Sequence, residues 1–155
     1  MTTQTSVVGS TPTPSSPASR GPRVTLWVLQ VAAVLHTLAM LVQPVLAGRY
    51  LDGDVGALEA HRINAFVVTA FDVVQLVCAI VFTWAGRGRS WPISASLAIA
   101  LAVEVQVGAG FGGVLAVHIP LGVSIVAGQI LVTVWLFRAG AAAPRVRRSR
   151  RERQQ

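Results

Sequence analysis

Lysine is absent from this chain, cysteine and tyrosine occur once each, and only 12% of its 155 residues are charged. Arginine therefore supplies all 13 positive charges. A single cysteine, Cys78, excludes an internal disulfide, a cysteine-rich metal site and a dithiol relay. So few charges cannot coat a water-soluble domain of this length, and 53% of the residues are hydrophobic. The chain reads as a membrane protein.

Four apolar stretches, 24–47, 63–85, 91–108 and 117–137, each have the roughly 20 residues that a helix needs to cross hydrocarbon. Lipid offers no partner to exposed backbone groups, so these stretches must be helices. The connections are short, which predicts an all-α, up-down-up-down four-helix bundle over residues 24–138. Residues 1–23 are rich in Ser, Thr and Pro and read as a disordered cytoplasmic arm. Residues 139–155 form a basic tail. The first apolar stretch is too long for a signal-peptide core and follows a long polar arm, so it reads as a span.

Arginine also sets the orientation. Arg20 and Arg23 precede the first span, Arg87 and Arg89 separate the second from the third, and six arginines crowd 145–153. The positive-inside rule places both termini in the cytoplasm. Arg49 and Arg62 fall outside, among Asp52, Asp54 and Glu59. Trp27, Trp84, Trp91 and Trp135 all fall at the cytoplasmic ends, as an interfacial aromatic belt does. The tail arginines anchor the last helix against the membrane, so the net charge of +7 does not speak for nucleic acid. The expected setting is a bacterial cell membrane. The partners expected there are the lipid bilayer and a homodimer or larger membrane complex.

Polar residues within spans are where function concentrates, because each costs free energy in hydrocarbon. His61 and Asp72 are eleven apart, almost three turns, and share a stripe of the second helix. His118 and Gln129 repeat that spacing on the fourth. Gln75 lies one turn from Asp72. His36 and Gln43 share a face of the first helix, and Glu104 and Gln106 stand on the third. Every helix thus carries a polar stripe expected to face inward. Ser124/Gly128 and Gly108/Gly112 are expected to permit close helix packing.

The second and fourth stretches each open on a histidine, and alternating topology puts His61 and His118 at one depth on the outer side. Two level histidines in a four-helix bundle suit the axial positions of a b-type haem. A macrocycle needs room one turn beyond each ligand, where Ala65 and Gly122 stand. Arg62 and Arg49 are placed to meet its propionates. The same residues leave other readings open. The histidines also fit a membrane boundary with their polar tips in water, or a non-haem metal site completed by Glu59 and Asp54.

Glu59-Ala60-His61-Arg62 resembles the Glu…His-Arg signature of heme A synthases. Gln106-Val107-Gly108, followed by Val117-His118 and Leu121-Gly122, resembles the segment entering the fourth helix of either half of those enzymes. The family consists of two tandem four-helix halves, each with a histidine pair in its second and fourth helices, and the resemblance covers residues 24–138. It implies that His61 and His118 are the axial pair. Glu59 precedes the histidine by two residues where the family has three, the outer-loop cysteine pair is missing, and one half is present. Haem handling or electron transfer is therefore expected rather than bond-making chemistry. The chain also looks like small bacterial four-helix membrane proteins rich in Ala, Val and Arg. A structural or accessory subunit is the first alternative, and a proton or small-solute pathway built on Asp72, Glu104 and His36 is the second.

The orientation is testable with Cys78 replaced and single cysteines introduced at Asp54 and Ser90. An impermeant thiol reagent applied to intact cells should label position 54 and leave position 90 untouched. Labelling of position 90 alone would invert the topology.

Overall fold

The structure, a computed structural model, describes residues 23–142. All of the expected disordered arm but Arg23, which opens the first helix, and all but the first four residues of the expected tail lie outside the described residues. Four α-helices follow one another: α1 (Arg23–Leu51), α2 (Gly56–Trp84), α3 (Trp91–Phe111) and α4 (Leu115–Leu136). A single 3-10 turn, Ala139–Ala142, ends the described chain. Each helix packs on its neighbour in sequence, and α4 returns to α1. All four are long and apolar enough to cross a membrane, as a multi-pass membrane protein requires.

The helices overrun the apolar stretches. α1 continues through Arg49 to Leu51 and α2 already begins at Gly56, so His61 and Arg62 are helical residues rather than loop residues. Backbone hydrogen bonding sets the extent of a helix, and polar side chains at its ends do not interrupt it. Pro44 and Pro120 lie within α1 and α4. Nearby side chains bond to the main chain around them: Asn64 Nδ2 donates to the Ala39 carbonyl at 2.9 Å, and Ser124 Oγ to the Pro120 carbonyl at 2.8 Å.

Leu29, Ala33 and Met40 of α1 meet Val68, Ala79 and Phe82 of α2, Ile99 and Val103 of α3, and Ile125, Val132 and Leu136 of α4 in one core. The outer surface is apolar as well, with Leu35, Phe66, Val73, Leu101, Val123 and Leu131 exposed. An outside as greasy as the inside suits lipid and would aggregate in water. At one end, the Trp91 and Trp135 rings meet edge to face at 4.2 Å, with the Arg89 guanidinium 5.9 Å from the Trp135 ring. Gln30 Nε2 donates there to the Leu136 carbonyl at 2.7 Å.

Residues 139–142 turn back onto α1 and bury Ala141 completely. The turn carries only alanine and glycine, so nothing opposes its burial. One expectation needs correction: the small-residue pairs do not bring these helices together. A side chain built at Gly108 or Gly128 would meet nothing within 4 Å, and Ser124 is exposed. Small size permits close approach without compelling it, and the close approaches lie elsewhere, at Gly110 and Gly122.

Phe82 is the largest fully buried side chain, at 0% exposure. Phe82→Ala should cost about 3–5 kcal/mol, read as a lowered midpoint of thermal unfolding in detergent. An unchanged midpoint would mean that the core is not packed as described.

Candidate functional site

His61 stands in the second turn of α2 and His118 in the first turn of α4. The helices bring the two imidazoles face to edge, with ring centroids 6.1 Å apart and planes at 63°. Each ring is held from behind by a backbone carbonyl on the preceding helix. His61 Nδ1 lies 3.2 Å from the Gln43 carbonyl of α1, and His118 Nδ1 lies 2.9 Å from the Gln106 carbonyl of α3. A carbonyl can only accept, so in both rings Nδ1 carries the hydrogen and Nε2 is left with its lone pair. No described residue bonds to either Nε2.

The two glutamines act alike a second time. Turned with its nitrogen toward α2, the Gln43 amide donates to the His61 carbonyl at 3.1 Å and accepts from the Ala65 N–H at 3.2 Å. That nitrogen is also within donor reach of His61 Nδ1, at 3.1 Å, so the ring nitrogen that faces the Gln43 carbonyl has a second neighbour in the Gln43 amide. Gln106 reaches across to α4, where a Cβ built on Gly122 would lie 2.6 Å from its Nε2. Each histidine is thus backed by a glutamine carbonyl, and each glutamine amide covers the residue one turn beyond the histidine. Sequence reasoning placed Gln43 and Gln106 on polar stripes and missed this shared role. For the amides the legible signal was a glutamine near the end of the helix preceding each histidine, whereas the backbone carbonyls left none.

The room expected at Ala65 and Gly122 is therefore filled by amides. At Gly122 the filling is loose, because Gln106 Oε1 is buried with no hydrogen-bond partner. A buried amide oxygen without a donor costs on the order of 1–3 kcal/mol, so its displacement from the glycine is not opposed by a lost bond. The centroid spacing also suits a metal. Two metal–imidazole bonds of about 2 Å, with about 1.2 Å of ring on either side, put the centroids about 6.4 Å apart. The two imidazoles have the spacing of a pair on one metal, and the room beside them is taken by the Gln43 and Gln106 amides.

Arg62 lies 6.0 Å from the Phe111 ring and 3.9 Å from the Glu59 carboxylate, and Arg49 pairs with Asp54. Both arginines are exposed at the histidine end of the bundle. Among the described residues no group of three or more His, Cys, Asp or Glu side chains is placed to hold a bare metal ion.

A second polar cluster is fully buried between the four helices. Gln75 and Gln129 pair reciprocally, with Gln129 Nε2 donating to Gln75 Oε1 at 2.7 Å and Gln75 Nε2 to Gln129 Oε1 at 3.2 Å. Gln75 Nε2 also reaches Ser96 Oγ at 3.2 Å, and Gln129 Nε2 the Ala33 carbonyl at 3.3 Å. His36 Nδ1 bonds to Gln75 Oε1 at 3.0 Å, and its Nε2 faces Asp72 Oδ1 at 3.4 Å. His36, Asp72, Gln75 and Gln129 all face the interior. Glu104 does not. It is exposed on the outer surface of α3, one turn from Gly108. An apolar third helix has no strongly preferred face, so its rotation follows Ser96, Ile99 and Val103, which turn inward.

No family model, curated protein or solved structure matches the chain.

Gly110 abuts the His118 ring, since a Cβ built on it would lie 2.9 Å from Cε1. Gly110→Val should turn the ring away from the Gln106 carbonyl, at an overpacking cost of about 1–3 kcal/mol. Proton NMR of the imidazole N–H groups should show slowly exchanging Nδ1 hydrogens for both histidines, with only that of His118 lost in the variant. Retention of the His118 signal would mean that Gly110 does not set its position.

Proposed function

We propose that this chain is a four-helix protein of a bacterial cell membrane that binds a b-type haem near the outer leaflet, between His61 and His118. Its role in this reading is electron transfer or haem handling. The observation that carries it is the pair of imidazoles 6.1 Å apart, each with Nδ1 committed to a backbone carbonyl and Nε2 open. Metal-bound histidines need this arrangement, because the outer hydrogen bond fixes the tautomer and the ring direction. Bound haem would supply a reversible one-electron couple whose potential depends on its ligands and surroundings.

The chain's own residues perform the rest. His61 and His118 would hold the haem iron. The Gln43 and Gln106 carbonyls orient the two imidazoles from behind. Arg62 and Arg49 offer guanidinium groups to the propionates, in exchange for their present partners Glu59 and Asp54. The polar layer at Gln75 and Gln129 closes the bundle beneath. The cytoplasmic placement of both termini rests on the arginine and tryptophan positions, and alternation of the helices is supported by two sets of contacts. Gln43 with His61 and Gln106 with His118 gather at one end, while Trp91 with Trp135 and Gln30 with Leu136 gather at the other. An accessory-subunit reading is favoured by one observation, the exposed Glu104 carboxylate beside the open face of Gly108. A carboxylate on the lipid-facing side of a span is costly unless a neighbouring protein covers it.

Purified protein supplemented with haem should show the absorption spectrum of a six-coordinate, low-spin haem. His61→Ala and His118→Ala should each abolish it, and His36→Ala should preserve it. A wild-type protein that stays colourless after supplementation would end the haem reading.

A further inference from the structure

The His36–Asp72 contact contains a hydrogen-bonding deficit that can be counted atom by atom. The count starts at the Ala33 carbonyl, which can only accept and so fixes Gln129 with its nitrogen toward α1. That nitrogen also donates to Gln75 Oε1, and Gln75 Nε2 donates to Gln129 Oε1 and Ser96 Oγ. Gln75 therefore presents its oxygen to His36 Nδ1, and Nδ1 carries the hydrogen. A neutral His36 then turns the lone pair of Nε2 toward Asp72 Oδ1, 3.4 Å away. Nε2 and both Asp72 oxygens are buried without any hydrogen-bond donor. Two acceptors face each other, and the gap lacks one hydrogen.

We infer that His36 and Asp72 form a one-proton site inside the bundle, and that its proton is linked to the electron held at the histidine pair. The second half rests on the haem reading above. The ligand of the site is a single proton, seated between Asp72 Oδ1 and His36 Nε2. Unprotonated, the site is a carboxylate with no donor on either oxygen, which is costly in hydrocarbon. Protonated, the carboxyl group supplies the missing hydrogen and the site becomes neutral.

The groups surrounding it are few. On α1 only His36 is titratable here. α2 adds Gln75 and the Cys78 thiol, α3 adds Ser96 and Glu104, and α4 adds the neutral Gln129 and Thr133. Glu104, exposed on α3, is the other charge that acts on Asp72. Helical rise places Asp72 about 16 Å along α2 from His61 and His36 about 10 Å along α1 from Gln43. Over such distances in a low-dielectric medium charges still act on each other. With oxidised haem bound, its net positive charge would favour the Asp72 carboxylate. Once a one-electron donor had cancelled that charge, Asp72 would take one proton from water, forming an O–H bond at Oδ1 with the hydrogen shared with Nε2, and reoxidation would release the proton.

Infrared spectroscopy of the full-length protein in lipid vesicles tests both halves. In haem-free wild-type protein a neutral-carboxyl C=O band should be present and should vanish in Asp72→Asn, with Glu104→Gln as the control that keeps it. His36→Gln retains Asp72 and should shift the band, which covers the case in which Asp72→Asn fails to fold. If neither variant alters the band, the one-proton site is overturned. In haem-loaded protein, reduction by dithionite should make the band grow. The midpoint potential should fall as pH rises, and Asp72→Asn should lose most of that slope. A haem-loaded protein whose band is indifferent to reduction overturns the linkage and leaves the haem reading intact. A protein that takes up no haem ends the linkage together with the haem reading, and the haem-free spectra still decide the proton site.

Discussion

The reciprocal amide pair of Gln75 and Gln129 is the tie on which the rest of this bundle depends. It joins α2 to α4 directly, reaches α3 through Ser96, and reaches α1 through the Ala33 carbonyl and His36. In lipid, apolar packing gives helices little reason to prefer one another, because the solvent is as apolar as the side chains. Directional hydrogen bonds then decide which faces meet. One layer touching all four helices fixes their mutual rotation, and rotation decides what the ends of the helices present. His61 follows Asp72 onto the inner face of α2, and His118 follows Gln129 onto that of α4.

The number and character of the helices were legible from composition and run length, since hydrocarbon thickness leaves little freedom. The inward stripe of α2 was legible too, because His61, Asp72 and Gln75 recur at helical spacing. Glu104 was misplaced for a physical reason. α3 is apolar nearly all round, so no pattern marks which side faces in, and the position of Ser96 settles it. Gly108, Gly112 and Gly128 were misjudged in a similar way. A small residue allows an approach, but the partner that makes it comes from another helix, and one sequence does not display pairings. The glutamine carbonyls behind both histidines were hidden for the same reason. A backbone acceptor has no sequence signature.

The two polar levels of the bundle differ in kind. At the histidine level, side chains are half-buried and nitrogen lone pairs stay open. At the glutamine level, everything is enclosed and nearly every hydrogen is assigned, with one exception between His36 and Asp72. Fully satisfied buried networks rigidify a core, whereas a deficit in one marks a place where something is to be added.

The matched supports behind His61 and His118 carry a consequence for reactivity. Each imidazole leans on a glutamine carbonyl, and each glutamine side chain shelters the next turn of the partner helix. The two supports match in kind and differ in length, 3.2 Å at His61 and 2.9 Å at His118. Under the proposed haem reading, an iron held by both imidazoles would leave no position for oxygen or an organic substrate, and its exchange with the surroundings would be of electrons.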